Sequence, residues 1–306
     1  MIALVTGPHR ASGLGLAEVD EPKPTQNEAV VTVRATSINR GELRLLAMRP
    51  NGWTPGQDIA GVVTRAASNG SGPLVGDRIA ALVEHSGWAE RVAVPTDRLA
   101  ILPANVSFEA AATLPMAGTT AMRTLRLGGD LCGQAILITG ASGAVGRFQV
   151  QLASQQGASV TAVASAEHAE KLGALGATNV VSSVEAASGT FALITESVGG
   201  PSLSQAIERI ASGGTIVVFG SSSGELTPFG FRQFAPGHEG ARIHIFMSYA
   251  SGPGFGRDIA LLLESVSAGQ LDAKVALTVP WAEFAVALDA IRERRISGKA
   301  VLTVSE

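Results

Sequence analysis

One cysteine in 306 residues, Cys132, excludes an internal disulfide, a cysteine-rich structural zinc lobe and a Cys-x-x-Cys redox pair. Tyrosine is as scarce, with Tyr249 alone, and aromatics make up only 5% of the chain. Charged residues reach just 16% with a formal net charge of -3, so there is neither a basic stripe for nucleic acid nor an acidic tail for a partner. No apolar run approaches the ~18 residues of a membrane span. The five histidines, His9, His85, His168, His238 and His244, never fall four residues apart, which excludes a zincin-type helix site. A zinc site assembled from distant His and acidic residues is the metal arrangement left open. The first positive charge after the N-terminus is Arg10, against the pattern of a secretory leader, and the expected location is a reducing cytoplasm. Apolar material, in contrast, is plentiful: 46% of the chain is hydrophobic, enough for a large core. The length suggests about two domains of ~150 residues.

The first hundred residues read as short strands (Val30 to Ala35, Ile59 to Thr64, Arg78 to Val83) separated by Gly, Pro, Asn and Asp clusters, the pattern of an all-β unit. Near Phe108 the pattern changes. From Gln134 onward strands and helices alternate: a strand at Ala135 to Thr139, a helix from Ala144 to Gln156 with Gly157 at its C-terminal end, and a strand at Ser159 to Ala164. A helix around Glu167 to Leu175 and strands at Asn179 to Ser182 and Phe191 to Thr195 follow. Leu203, Ala206, Ile207 and Ile210 mark a further helix, and Thr215 to Phe219 a strand. Such alternation implies a parallel sheet covered on both faces. The tail carries two amphipathic helices, one through Ile259, Leu262, Leu263 and Val266 and one through Trp281, Phe284, Leu288 and Ile291. The strand Lys299 to Val304 ends it.

The most informative segment is Thr139-Gly140-Ala141-Ser142-Gly143-Ala144-Val145-Gly146, which leaves a strand and enters a helix. A pyrophosphate needs a turn free of side chains and helix N-terminal amides aimed at it, so Gly140, Ser142, Gly143, Ala144, Val145 and Gly146 are candidate dinucleotide ligands. A glycine-rich turn without a ligand is the competing reading. A short-chain dehydrogenase is excluded, because Ala144 stands where its motif requires glycine. Its catalytic Tyr-x-x-x-Lys is also absent, since Pro253 follows Tyr249 at the lysine position. The next strand ends Val163-Ala164-Ser165, with no acid before Glu167, which favours NADPH over NADH. Ser165 alternatively caps the following helix.

The chain resembles the zinc-independent quinone oxidoreductases of the medium-chain dehydrogenase/reductase superfamily. Its marks include Ser37-Ile38-Asn39-Arg40-Gly41-Glu42, Pro55-Gly56-Gln57-Asp58-Ile59-Ala60-Gly61, Gly87-Trp88-Ala89-Glu90, Gly118-Thr119-Thr120-Ala121, Glu196-Ser197-Val198-Gly199-Gly200, Phe219-Gly220-Ser221 and Gly298-Lys299-Ala300-Val301-Leu302. The resemblance implies an α/β protein with a GroES-like β-rich catalytic domain (1–112 and 256–306) and a Rossmann doubly wound parallel-sheet domain (113–255). It further implies NADPH as cofactor, a homodimer, and cofactor contacts at Thr119, Ser165, His168, Gly220, Ser221, Phe246 and Lys299 besides the glycine turn. In several relatives a Lys and a Tyr hold the 2′-phosphate; His168 and Ser183 stand at those positions here, with Lys171 as a fallback.

Asn39 lies where zinc-dependent relatives have their first cysteine. Without a Lewis acid, alkoxide chemistry is disfavoured and reduction of a conjugated carbonyl is easier, because the delocalised anion it leaves needs only hydrogen-bond donors. Asn39 is the candidate catalytic residue, a polar group near the reacting carbonyl or the nicotinamide; a turn residue satisfying local backbone groups is the competing reading. Arg40 and Glu42 are expected to form a structural ion pair, with the orienting of Asn39 as the alternative; Gln57 and Asp58 stand where zinc-dependent relatives carry a ligand, and Asp58 is expected to anchor a loop. Trp53 and Phe246 are candidates for an apolar pocket, with His85 and Trp88 behind them. The expected function is an NADPH-dependent reductase of quinones or α,β-unsaturated carbonyls acting on a small molecule. An enoyl-thioester or biosynthetic tailoring reductase, or a dinucleotide-binding protein with little catalysis, are the alternatives.

Overall fold

The structure is a computed structural model that describes residues 1–7, 13–234 and 236–304; His9 and Arg10 lie outside the described residues. In chain order the first elements are β1 (Ile2–Thr6), β2 (Leu14–Glu18), β3 (Glu28–Ile38), α1 (Arg40–Met48), β4 (Asp58–Arg65), β5 (Arg78–Leu82), β6 (Arg91–Pro95), β7 (Leu99–Ile101), α2 (Phe108–Ala112) and α3 (Pro115–Arg126). They are followed by β8 (Ala135–Ile138), α4 (Ala144–Gln155), β9 (Ser159–Val163), α5 (Ala169–Ala174), β10 (Asn179–Val181), β11 (Phe191–Glu196), α6 (Pro201–Ile207), β12 (Ile210–Val218) and β13 (Arg242–Ile245). The chain closes with α7 (Phe255–Ser267), β14 (Val275–Pro280), α8 (Phe284–Arg292) and β15 (Lys299–Thr303). The chain forms two compact units, Met1–Thr119 with Pro253–Glu306, and Thr120–Gly252.

The first unit is a mostly antiparallel sheet in the order β14-β15-β3-β4-β5-β7, with β6 also paired to β3 and a separate β1-β2 ribbon. Alternation along β3 buries Val31 and Val33 against Ile59, Ile79, Trp88 and Leu302 in one apolar core. Register decides what meets at the end of this sheet. Ala300 pairs with Ile38 and Ser37 pairs with Asp58, so the ends of β15, β3 and β4 carry Lys299, Asn39 and Asp58 side by side.

The second unit is a six-stranded, fully parallel sheet in the order β10-β9-β8-β11-β12-β13. Numbered from β8, this is 3-2-1-4-5-6, the dinucleotide-binding order, and its direction of winding reverses between β8 and β11. The strands are near-continuous apolar runs, as burial on both faces requires: Ile136, Leu137 and Ile138 in β8 and Leu193 and Ile194 in β11 are fully buried. Fold class and architecture are thus those of a GroES-like unit joined to a Rossmann-type parallel sheet.

Several elements differ from the sequence expectation. Ile210 opens β12 instead of ending a helix, because α6 stops at Ile207 and the chain returns to the sheet within two residues. Trp281 lies in a short 3-10 turn ahead of α8, not within the helix itself. Among the described residues no helix is long and apolar enough to cross a membrane.

Candidate functional site

In the second unit the glycine turn joins β8 to α4 at the winding reversal. Gly140 has φ +58°, and a Cβ there would stand 2.7 Å from the Ser197 hydroxyl oxygen. Gly146 is held by contact: a Cβ would stand 2.5 Å from the Gly140 carbonyl oxygen and 2.6 Å from Ala141 Cα. At Gly143 φ is −75° and ψ 173°, so the left-handed backbone of the turn belongs to Gly140, and Gly143 is the N-cap of α4. Its amide donates to Gly140 O at 3.0 Å, and Arg147 makes the first ladder bond, to Gly143 O at 3.0 Å. The amides of Ala144, Val145 and Gly146 therefore lie in the unladdered first turn, where a helix presents N–H groups and the positive end of its dipole. Ala144, Val145 and Ser142 are half-buried and Gly143 is exposed.

The neighbouring strand ends frame that turn. Glu196, the last residue of β11, is fully buried and accepts from Thr139 Oγ1 (3.1 Å), Val198 N (3.0 Å), Ser202 Oγ (2.9 Å) and Gly199 N (2.8 Å). Thr139 Oγ1 in turn accepts from Ser197 N at 2.9 Å. These bonds tie the loops after β8 and β11 into one rigid rim. Behind it, the buried Gln149 bridges α3 and β11, donating to Thr124 Oγ1 (2.8 Å) and accepting from Thr195 Oγ1 (3.1 Å). Gly220 follows β12, where a Cβ would stand 2.9 Å from Ser197 O, and Ser221 is exposed beside it. Phe246, buried just past β13, donates its amide to Val218 O at 2.8 Å. After β9, Ser165 makes no side-chain cap bond. Its hydroxyl donates to Glu167 Oε1 at 3.1 Å, and the same oxygen lies 3.5 Å from His168 Nε2.

In the first unit, Lys299 is 2% exposed and donates to Asp58 Oδ2 (2.8 Å) and Asn39 Oδ1 (2.6 Å). Asn39 Nδ2 donates to the same Asp58 oxygen at 2.9 Å, Ser37 Oγ to it at 2.7 Å, and Met116 N to Asp58 Oδ1 at 2.6 Å. Asp58 is the hub of a buried polar cluster and does more than anchor a loop. The expected Arg40–Glu42 pair does not form. Arg40 Nη2 reaches Ile291 O at 3.5 Å, while Glu42 folds back beneath Asn39, whose backbone N–H donates to Glu42 Oε2 at 2.7 Å. A helix whose first turn holds both residues brings Glu42 under its own N-cap, not outward to a cation. Burial pushes the Glu42 carboxyl up to about 7, with repulsion from Asp58 adding and the Asn39 amide and Lys299 opposing. The spacing Asn39-x-x-Glu42 is a capping-box signal that could have located this acid.

The nominated residues thus divide. Asn39, Thr119 and Lys299 are in the first unit and the rest in the second, gathered at the carboxyl ends of the parallel strands. Thr119 is fully buried and its hydroxyl donates to Pro115 O, leaving that oxygen an acceptor only. Trp53 is half-buried with the Arg49 guanidinium 5.6 Å from its ring centre, whereas Trp88 is fully buried in the core. Among the described residues no group of three or more His, Cys, Asp or Glu side chains is arranged to hold a metal ion.

Comparison with known proteins accounts for both units. The family described as "Alcohol dehydrogenase GroES-like domain" matches residues 25–104, and "Zinc-binding dehydrogenase" matches residues 144–259. The chain is 35% identical over 187 residues to the chloroplast envelope quinone oxidoreductase homolog of Arabidopsis thaliana, covering 56% of this chain and 57% of that one. It is 25% identical to the acryloyl-coenzyme A reductase of Metallosphaera sedula, covering 99% of this chain and 100% of that one. Across the first relatives it matches, this chain spans 55% to 60% of their length. Among solved structures, a mycobacterial protein in complex with NADPH superposes with a TM-score of 0.87 at 21% identity, over 99% of this chain and 100% of the other.

Proposed function

Since the chain belongs to the quinone oxidoreductase family of the medium-chain dehydrogenase/reductase superfamily, we propose that it is an NADPH-dependent reductase of quinones or α,β-unsaturated carbonyls that works without zinc. The observation that carries the reading is the fixed amide of Asn39. Lys299 holds its Oδ1 and Asp58 takes one of its two Nδ2 hydrogens, which leaves the other N–H as a donor in a defined direction. The ammonium on Oδ1 draws electron density from the amide, so that remaining N–H is a stronger donor than a free asparagine's. This group meets the need of a conjugated carbonyl, whose oxygen gains charge as a hydride arrives at the β-carbon or the quinone ring. Solvent supplies the proton. All four donors on Asp58 are in place, so its oxygens serve the cluster and Lys299 supplies the positive charge.

The second unit fits a nicotinamide dinucleotide, whose bound form supplies the hydride. Gly140, Gly143 and Gly146 keep side chains out of the turn, and the α4 amides offer the phosphate site. The absence of an acid at the end of β9 and the NADPH complex of a structural relative support NADPH. A 2′-phosphate would take Ser165 and His168 from Glu167. The edge strand β13 supports a homodimer: among the described residues its outer backbone edge has no neighbouring strand, and Ile243 and Ile245 are 39% and 60% exposed.

The test is NADPH oxidation against a panel of quinones, enones and enoyl thioesters. Turnover of quinones or enones is expected. Turnover confined to enoyl thioesters, the chemistry named for the Metallosphaera relative, would move the substrate class. Tight NADPH binding with no turnover would contradict the catalytic reading.

A further inference from the structure

Glu42 is the one buried acid of the cluster with a carboxyl oxygen unaccounted for. It is fully buried, and its Oε1 makes no hydrogen bond, while Oε2 accepts the Asn39 backbone N–H at 2.7 Å. The charged groups that face it are Asp58 from β4 and Lys299 from β15; Arg40, on its own helix, is directed to Ile291 O. Lys299 is already shared between Asp58 and Asn39. An ionised Glu42 would leave a bare charge on Oε1 with no donor, beside a second carboxylate, and one ammonium for both. A neutral Glu42 has no such conflict: Oε2 is the carbonyl acceptor and Oε1 carries the proton.

We propose that Glu42 is a positioning residue for Asn39, holding its backbone with a neutral carboxyl group protonated on Oε1. Loss of that proton to solvent hydroxide makes Glu42 a rival to Asp58 and Asn39 for the Lys299 ammonium. The Asn39 amide then loses its fixed direction and its polarising partner. The mechanistic consequence rests on the functional reading of Asn39 given above; the geometry of the device does not.

The test exploits the six asparagines of the chain, Asn27, Asn39, Asn51, Asn69, Asn105 and Asn179. Protein labelled only with 15N-asparagine gives a spectrum sparse enough to follow by pH, with Asn39 assigned by its loss in N39D. The expected result is a one-proton titration of the Asn39 backbone and side-chain signals, with a midpoint close to neutrality, that is absent in E42Q. The kcat profile on a panel substrate should fall through the same midpoint in the parent and lack that step in E42Q. Asn39 signals that stay fixed from pH 5.5 to 8.5 would overturn the proposal, as would a titration that persists in E42Q. The parent titration does not depend on E42Q, so it stands even if that variant does not fold. It also needs no turnover, so an inactive panel contradicts the functional reading and leaves this result to be judged separately.

Discussion

Asp58 takes four donors, from Ser37, Asn39, Lys299 and Met116, and only Lys299 brings charge. With that cation committed, Glu42 is a residue whose protonation makes stability depend on pH near neutrality. Its folded-state carboxyl titrates near 7 against an ordinary 4.5, so between those values the folded protein keeps a proton that the unfolded chain releases. Stability from this group is full below about pH 4.5 and is lost as pH rises to about 7, at up to ~1.4 kcal/mol per pH unit. Glu21, held low by Arg91, and Glu239, held low by the Gly237 amide, act in the opposite sense and only in more acid solution. Thermal melts from pH 5 to 7.5 should therefore show Tm falling with pH in the parent and a visibly flatter line in Glu42→Gln. Parallel lines for the two proteins would contradict the buried proton. None of this was visible in composition. The Asn39-x-x-Glu42 spacing was readable, but the burial that makes it matter depends on β15 returning from 260 residues away to place Lys299 against Asn39.

The turn between β8 and α4 was legible for the opposite reason: it is local. Glycines at Gly140, Gly143 and Gly146 between an apolar strand and an amphipathic helix carry their own geometry, and strand and helix form within one residue of the expected bounds. What the pattern hid was which glycine does which task. Gly140 supplies the left-handed backbone, Gly146 the close approach of the helix to the turn at Gly140 and Ala141, and Gly143 the open space in front of the helix. Two substitutions separate these roles. Gly143→Val, with its Cβ 3.2 Å from Gly140 O and a backbone any residue adopts, should keep its circular dichroism and lose the NADPH-induced rise in Tm. Gly146→Val drives a branched side chain into Gly140 and Ala141 and should lower Tm of the cofactor-free protein. Equal NADPH shifts in the parent and Gly143→Val would mean the dinucleotide lies elsewhere. Ile210 was misplaced for a related reason: the i, i+3, i+4, i+7 spacing from Leu203 continues past the helix end, and the Ile at the last position belongs to the next strand.

For the whole molecule, the proposed homodimer rests on the exposed strand β13. Its four residues are all exposed, and a second copy related by a two-fold axis would pair β13 antiparallel with itself, covering Ile243 and Ile245. Light scattering should give the mass of a dimer, and Ile245→Lys should shift it toward 31.2 kDa without unfolding the chain. A parent that runs as a monomer at micromolar concentration would remove the dimer from the account. This strand was missed in the sequence, since Arg242-Ile243-His244-Ile245 alternates polar and apolar residues over only four positions, close behind Gly237 and Gly240.

The reductase reading itself is tested most directly by following the hydride. NADPH deuterated at C4 of the nicotinamide, mixed with the protein and the enones and quinones of the panel, should yield an enone product carrying one deuterium at its β-carbon, read by mass spectrometry. An enone product formed without deuterium from either C4 face, or no reduced product from any enone or quinone, would contradict it.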